Sequence, residues 1–212
     1  MSVIVAIKEN GKIYLGADSQ VTRGGCRASL SNPNNYKIWK VKGVDNCIMG
    51  HVGALRDACA IRIMDNLVRE IDVIHDVIDF EDMVSRVEPM IRDELIDHRF
   101  ISEDNPYTDM ESRFIFCYRD KMFTISYGGV IEHDDFVSIG SGESSAIGSL
   151  VSTVGELPEG RIIKAIKASV ANDIYVDYPI IMTNTETTSF KIISENDERK
   201  YLTSNKYTKN MI

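Results

Sequence analysis

The chain has 212 residues, 43% of them hydrophobic, a formal net charge of −8 and a pI near 5.1. That length suits one domain with a sizeable core, and the acidic balance excludes a general nucleic-acid binder, which needs a basic face. No apolar run approaches the roughly 18 residues that span a bilayer, and the start MSVIVAIKENGK lacks the basic lead and long apolar stretch of a signal peptide. Cys26, Cys47, Cys59 and Cys117 form no CxxC pair and stand at no zinc-finger spacing. Cys47, Cys59 and Cys117 fall within apolar patterns and read as buried free thiols of a reducing cytosol. No metal or cofactor is expected.

Ser2–Lys8 and Lys12–Asp18 are β-rich runs joined by Asn10-Gly11, a strong hairpin signal. Residues 22–35 (TRGGCRASLSNPNN) are turn-formers and polar groups, and read as a long loop. Tyr36–Val41 alternates as a strand, 42–46 turns the chain, and Cys47–Val52 is a second apolar strand. Beyond Gly53 the period changes. Leu55, Cys59, Ile63 and Leu67 recur at helical spacing over 54–71, and Met83, Val87, Ile91 and Leu95 do so over 80–98, where Pro89 predicts a kink. The acidic, turn-rich stretch 101–111 reads as exposed. A second hairpin is expected at 113–118 and 122–127 about Arg119-Asp120-Lys121, and a short strand at 136–139 ends in Gly140-Ser141-Gly142. A helix runs from there to about Val154, Pro158 suits a first helical turn, and 161–175 reads as a further helix. Strands at 179–184 and 189–194 complete a domain over 1–195, followed by a polar tail over 196–212. Hairpins separated by two helix pairs are consistent with a sheet sandwich covered by helices on both outer faces.

Few residues stand out chemically, and each has an ordinary reading. Ser2 is a common second residue. Asp18 caps a turn, Lys37 snorkels from a strand edge, Gly53 and Gly140-Ser141-Gly142 open helices with Ser141 as N-cap, and Asp173 is a solvated helix carboxylate.

Taken together they carry a resemblance. Ser2–Lys8, Asn10-Gly11 and Leu15-Gly-Ala-Asp-Ser-Gln-Val-Thr22 resemble the start of proteasome β-type subunits, above all the bacterial ring protease HslV. Lys37, Gly53-Ala-Leu-Arg-Asp57, Gly140-Ser141-Gly142 and Asn172-Asp173 follow in that family's order, over roughly residues 2–184. The resemblance implies an α+β, four-layer αββα N-terminal-nucleophile hydrolase. It also implies that Ser2 becomes the nucleophile once Met1 is removed. Its free α-amine would be the base, with a reference pKa of about 7.7–8.0 close to the operating pH. Lys37 would supply a positive field, Asp18 would pair with it, the Gly53 N–H would face the oxyanion, and Ser141 and Asp173 would orient the amine. Implied partners are peptide or unfolded-protein substrates, further copies of the chain in a ring or array, and an ATP-dependent unfoldase; nucleic acid and membrane are not. Three features depart from the pattern: Ser in place of the commoner Thr, longer stretches at 22–35 and 98–112, and the tail after 195. Two rivals stay open: a catalytically silent structural or regulatory ring subunit of the same fold, and an amidase acting on a small molecule.

Overall fold

The computed structural model describes residues 2–23, 26–29, 32–64, 77–104, 111–126 and 129–197, together with 67, 69, 71, 201 and 202. Expectations about Met1, parts of the 22–35 loop, the later half of the 54–71 helix, most of 101–111 and most of the tail lie outside these residues.

The first hairpin forms as expected. β1 (Val3–Glu9) and β2 (Lys12–Ala17) pair antiparallel from Ile4↔Ala17 to Glu9↔Lys12. Asn10 and Gly11 turn the chain with φ of 53° and 74°, the left-handed geometry that Asn-Gly provides. The hairpin sits inside a five-stranded sheet ordered β10-β1-β2-β11-β12, with β10 at Phe136–Gly140, β11 at Ile180–Asn184 and β12 at Lys191–Ile193. A second five-stranded sheet runs in the order β5 (Ile38–Lys40), β6 (Cys47–Val52), β7 (Arg113–Tyr118), β8 (Lys121–Ser126) and β9 (Gly129–Glu132). Strand β9 extends the second hairpin beyond what the sequence pattern signalled, with Ser126↔Gly129 its last pair.

Two-residue periodicity divides β1 between two cores. Ile4 and Ala6 face the other sheet, packing with Ile38, Ile48, Ile115 and Cys117 in a buried inter-sheet layer. Val3, Val5 and Ile7 face outward onto α4 (Glu143–Ser152) and α5 (Pro158–Val170), where Leu150, Ile162 and Ile166 cover them. Burial on both faces explains the continuous apolar run. A Cβ on Gly16 would stand 2.2 Å from Ile162 Cγ2, so α5 lies directly on β2. The outer face of the second sheet is covered by α1 (Leu55–Ile63), α2 (Phe80–Asp82) and α3 (Glu88–Asp97), packing Ile61, Met83, Val87, Ile91 and Leu95 against Met49, Phe114, Phe116 and Phe123. The result is helices, sheet, sheet, helices. Between α2 and α3 the helix widens into a π turn at Met83–Val87, next to the Pro89 that cannot donate to the carbonyl of Ser85. A π turn stands where the sequence predicts a kink at Pro89.

Several boundaries differ from the sequence reading. Within 22–35 the structure has a hairpin, β3 (Gln20–Arg23) against β4 (Cys26–Ser29), and a 3-10 turn at Pro33–Asn35. The Gly-Gly between Arg23 and Cys26 is a hairpin signal masked by the polarity around it. Helix α5 begins at Pro158 and ends at Val170, so Asp173 lies in the following turn. The N-cap of α4 is Gly142, with no side-chain cap. Ser141 is therefore not the capping residue; its hydroxyl is engaged elsewhere. Lys37 precedes β5 instead of lying within it. Cys47 and Cys117 are buried free thiols, whereas Cys59 faces solvent from α1. No helix among the described residues is long and apolar enough to cross a membrane.

Candidate active site

Because β1 pairs with β10 inside its sheet, Ser2, the residue before β1, is held against the turn that follows β10. Ser2 is nearly buried. Its nitrogen donates to Ser141 Oγ at 3.1 Å, and its carbonyl accepts from the Gly142 N–H at 3.2 Å and from the Ser141 hydroxyl at 3.4 Å. Gly140 makes this approach sterically feasible. Its φ is +114°, and a Cβ there would stand 2.0 Å from the Ser2 carbonyl oxygen.

Asp18 follows β2 and turns its carboxylate back beneath β1. Oδ1 accepts the Val3 N–H at 2.9 Å and Oδ2 the Gln20 N–H at 3.0 Å. Lys37 Nζ lies 2.8 Å from both oxygens. The side chains are 0% and 8% exposed, so this is a dry ion pair with every carboxylate oxygen engaged. Burial pushes the Lys37 ammonium below the ordinary lysine range, against the attraction of Asp18 and, less strongly, of Asp173. Burial also raises the Asp18 carboxyl, opposed by Lys37 and by the two N–H donors. Asp173 Oδ1 accepts the Tyr175 N–H at 2.9 Å, while Oδ2 is buried without a hydrogen-bond partner among the described residues.

Ser2, Lys37 and Gly53 line one cleft of about 260 Å³, walled also by Tyr36, His51, Leu55 and Arg62. Gly53 has φ +133°, and a Cβ would meet Ser112 Oγ at 2.5 Å. Of the six residues singled out in the sequence, Ser2 is hydrogen-bonded to Ser141 and Asp18 to Lys37, and the two pairs meet where Asp18 accepts the N–H of Val3, the residue after Ser2. Gly53 shares their cleft, and Asp173 acts on Lys37 through its charge.

No protein-family model and no curated protein sequence matches the chain. Solved structures do. Eukaryotic HslV from Trypanosoma brucei superposes with a TM-score of 0.64 at 21% identity, over 86% of this chain and 98% of that one. Anbu from Hyphomicrobium sp. strain MC1 gives 0.65 at 18% identity, over 98% of this chain and 94% of that one. BPH of Thiobacillus denitrificans, solved with epoxomicin, gives 0.63 at 17% identity, over 88% and 100%. The chain has the proteasome-like N-terminal-nucleophile hydrolase fold. Its α+β sandwich matches the expectation from sequence.

One part of the site is absent from the sequence reading. Behind Gly53 the Ser112 hydroxyl donates to Asp57 Oδ2 at 2.5 Å and meets His51 Nε2 at 3.0 Å. All three residues are buried. Burial pushes the His51 imidazole down to about 3, with Arg62 and Lys37 adding to the effect. The ring is therefore neutral, and its Nε2–H donates to Ser112. The motif Gly53-x-x-x-Asp57 is visible in the sequence, but Ser112 comes from the start of β7, 55 residues beyond Asp57. No local spacing signals it.

Proposed function

We propose that the chain is a self-assembling peptidase that cleaves peptide bonds through an acyl-enzyme on Ser2, after removal of Met1. The supporting observation is the dry Lys37–Asp18 pair, whose carboxylate also holds the Val3 N–H one residue from the Ser2 hydroxyl.

A serine hydroxyl needs a base, and a free α-amine on the same residue titrates near neutral pH. In the proposed reaction the amine takes the Ser2 Oγ proton as Oγ bonds to the substrate carbonyl carbon. The oxyanion develops toward the Gly53 N–H. Collapse breaks the C–N bond, and the protonated amine returns its proton to the leaving nitrogen, leaving an ester on Ser2. Water, deprotonated by the same amine, then attacks the ester, and the proton returns to Oγ. Lys37, kept charged by Asp18, favours the unprotonated amine, and Ser141 Oγ fixes the position of the nitrogen. The same likeness supports a ring or array of copies as the working form and peptide or unfolded protein as substrate.

The test is covalent labelling. Mature protein is incubated with a peptide vinyl sulfone or epoxyketone and digested for mass spectrometry. An adduct on Ser2 that is lost in Ser2→Ala is the expected result. No adduct on protein with a free Ser2 amine overturns the proposal and favours the silent ring subunit.

A further inference from the structure

The cleft beside Ser2 carries one charge that its own walls do not neutralise. Tyr36, Leu55 and Ala58 contribute apolar or weakly polar surface. Lys37 is paired with Asp18, and His51 is neutral for the reason given above. Arg62, in the last turn of α1, remains.

Its guanidinium is fixed without being satisfied. Cζ lies 4.5 Å from the ring centroid of Trp39, Nη1 donates to the Asn34 carbonyl, and Nε is buried without a hydrogen-bond partner. Among the described residues no carboxylate lies within ion-pair distance of it. An arginine has five N–H donors, and a planar fork clamped on an aromatic face is pre-organised for a carboxylate. In a partly enclosed cleft such a bidentate pair is stronger than on open surface. A cleft of about 260 Å³ has room for one side chain at a time beyond the backbone that crosses it.

We infer that Arg62 makes this cleft selective for an acidic side chain, Asp or Glu, on the substrate residue whose carbonyl faces Ser2. This rests on the peptidase reading for its placement of the carbonyl. The ordinary alternative makes Arg62 a clip that ties α1 to the Pro33–Asn35 turn and complements the helix dipole. A clip is indifferent to ligand charge.

Trp39, the chain's one tryptophan, reports on Arg62 directly. Acetyl-Ala-Ala-Xaa amides with Xaa Glu, Leu or Lys are titrated into mature protein and followed by tryptophan fluorescence. Matched fluorogenic substrates are assayed in parallel for hydrolysis. The Glu peptide is expected to bind about 10-fold tighter than the Leu peptide, the factor that corresponds to about 1.4 kcal/mol for one charged pair, with the Lys peptide weakest. Arg62→Gln is expected to abolish the Glu preference and Arg62→Glu to transfer it to Lys. Arg62→Lys, which keeps the charge without the fork, is expected to retain a reduced preference, and serves where the glutamine variant does not fold. Equal binding of the Glu and Leu peptides, no binding of either, or a preference unchanged in Arg62→Gln overturns the inference. Preferential binding of the Glu peptide without hydrolysis of any substrate supports this inference and overturns the peptidase reading instead.

Discussion

Lys37 Nζ stands equidistant, at 2.8 Å, from the two oxygens of the Asp18 carboxylate, with the acid fully buried and the lysine almost so. Removing the acid alone strands an ammonium in a dry site. Asp18→Ala is therefore expected to cost about 3–5 kcal/mol of folding stability, read from the midpoint and slope of urea unfolding. The double variant Asp18→Leu, Lys37→Met is expected to regain part of that loss, because no charge is then buried unpaired, although the Val3 and Gln20 N–H groups still lack their acceptor. Neither variant is expected to label at Ser2. A double variant less stable than Asp18→Ala would show that the pair contributes little through its charges.

Two glycines that look alike in sequence are expected to respond oppositely to alanine. Gly140→Ala places a methyl against the Ser2 carbonyl at a φ of +114°. It should lose about 1–3 kcal/mol from backbone strain alone, and the probe reaction with it. Gly148 lies in α4 with nothing within 4 Å of a Cβ, so Gly148→Ala should gain about 0.5–1 kcal/mol. Thermal melts of the two proteins check both signs.

Much of the fold is legible because local rules and tertiary packing agree. Asn10-Gly11 specifies its own turn, the β-rich run from Ser2 to Lys8 reads as a strand and packs as one on both faces, and the Met83–Leu95 series keeps helical period through the π turn beside Pro89. The β3–β4 hairpin is illegible for the opposite reason: Gln20–Arg23 and Cys26–Ser29 hold only Val21, Cys26 and Ala28 as apolar residues, too few and too small to stand out from the polar run, so polarity reads as loop. At the site, Ser2, Asp18 and Lys37 stand out through a family-wide order of residues. His51, Ser112 and Arg62 do not, since only the register of β6 with β7 and the run of α1 to its last turn bring them to the cleft or behind it.

The hydroxyl of Ser112 bridges an acid and an imidazole behind Gly53. Ser112→Ala leaves both buried partners short of a hydrogen bond, at a cost of about 1–3 kcal/mol for each group. Gly53 rests against this hydroxyl, so the peptidase reading adds a kinetic signature. The kcat is expected to fall while KM changes little, because the Gly53 N–H serves the oxyanion and not the ground state. A rise in KM alone would instead assign the network to substrate binding.

Acid sensitivity follows from His51. Its folded pKa of about 3 lies below the ordinary value of 6.5, so the unfolded chain binds the extra proton first. Stability is therefore full above about pH 6.5 and falls as the pH drops toward 3, by roughly 1 kcal/mol per unit from this group. His51→Gln should flatten that part of the curve in urea titrations at a series of pH values. The proposed reaction has its own profile. Rate is expected to rise with deprotonation of the Ser2 amine and to fall again where Lys37 loses its proton, below the ordinary lysine range.

The strand order β10-β1-β2-β11 also governs when the surroundings of Ser2 assemble during synthesis. Strand β1 emerges from the ribosome first, yet its neighbour β10 is some 130 residues behind it, and β2 waits for β11 at 180–184. The Ser141 hydroxyl that holds the Ser2 nitrogen arrives with that late neighbour. A nascent chain thus carries β1 paired with β2 alone, one edge open, until residues 136–142 have been made and the surroundings of Ser2 close.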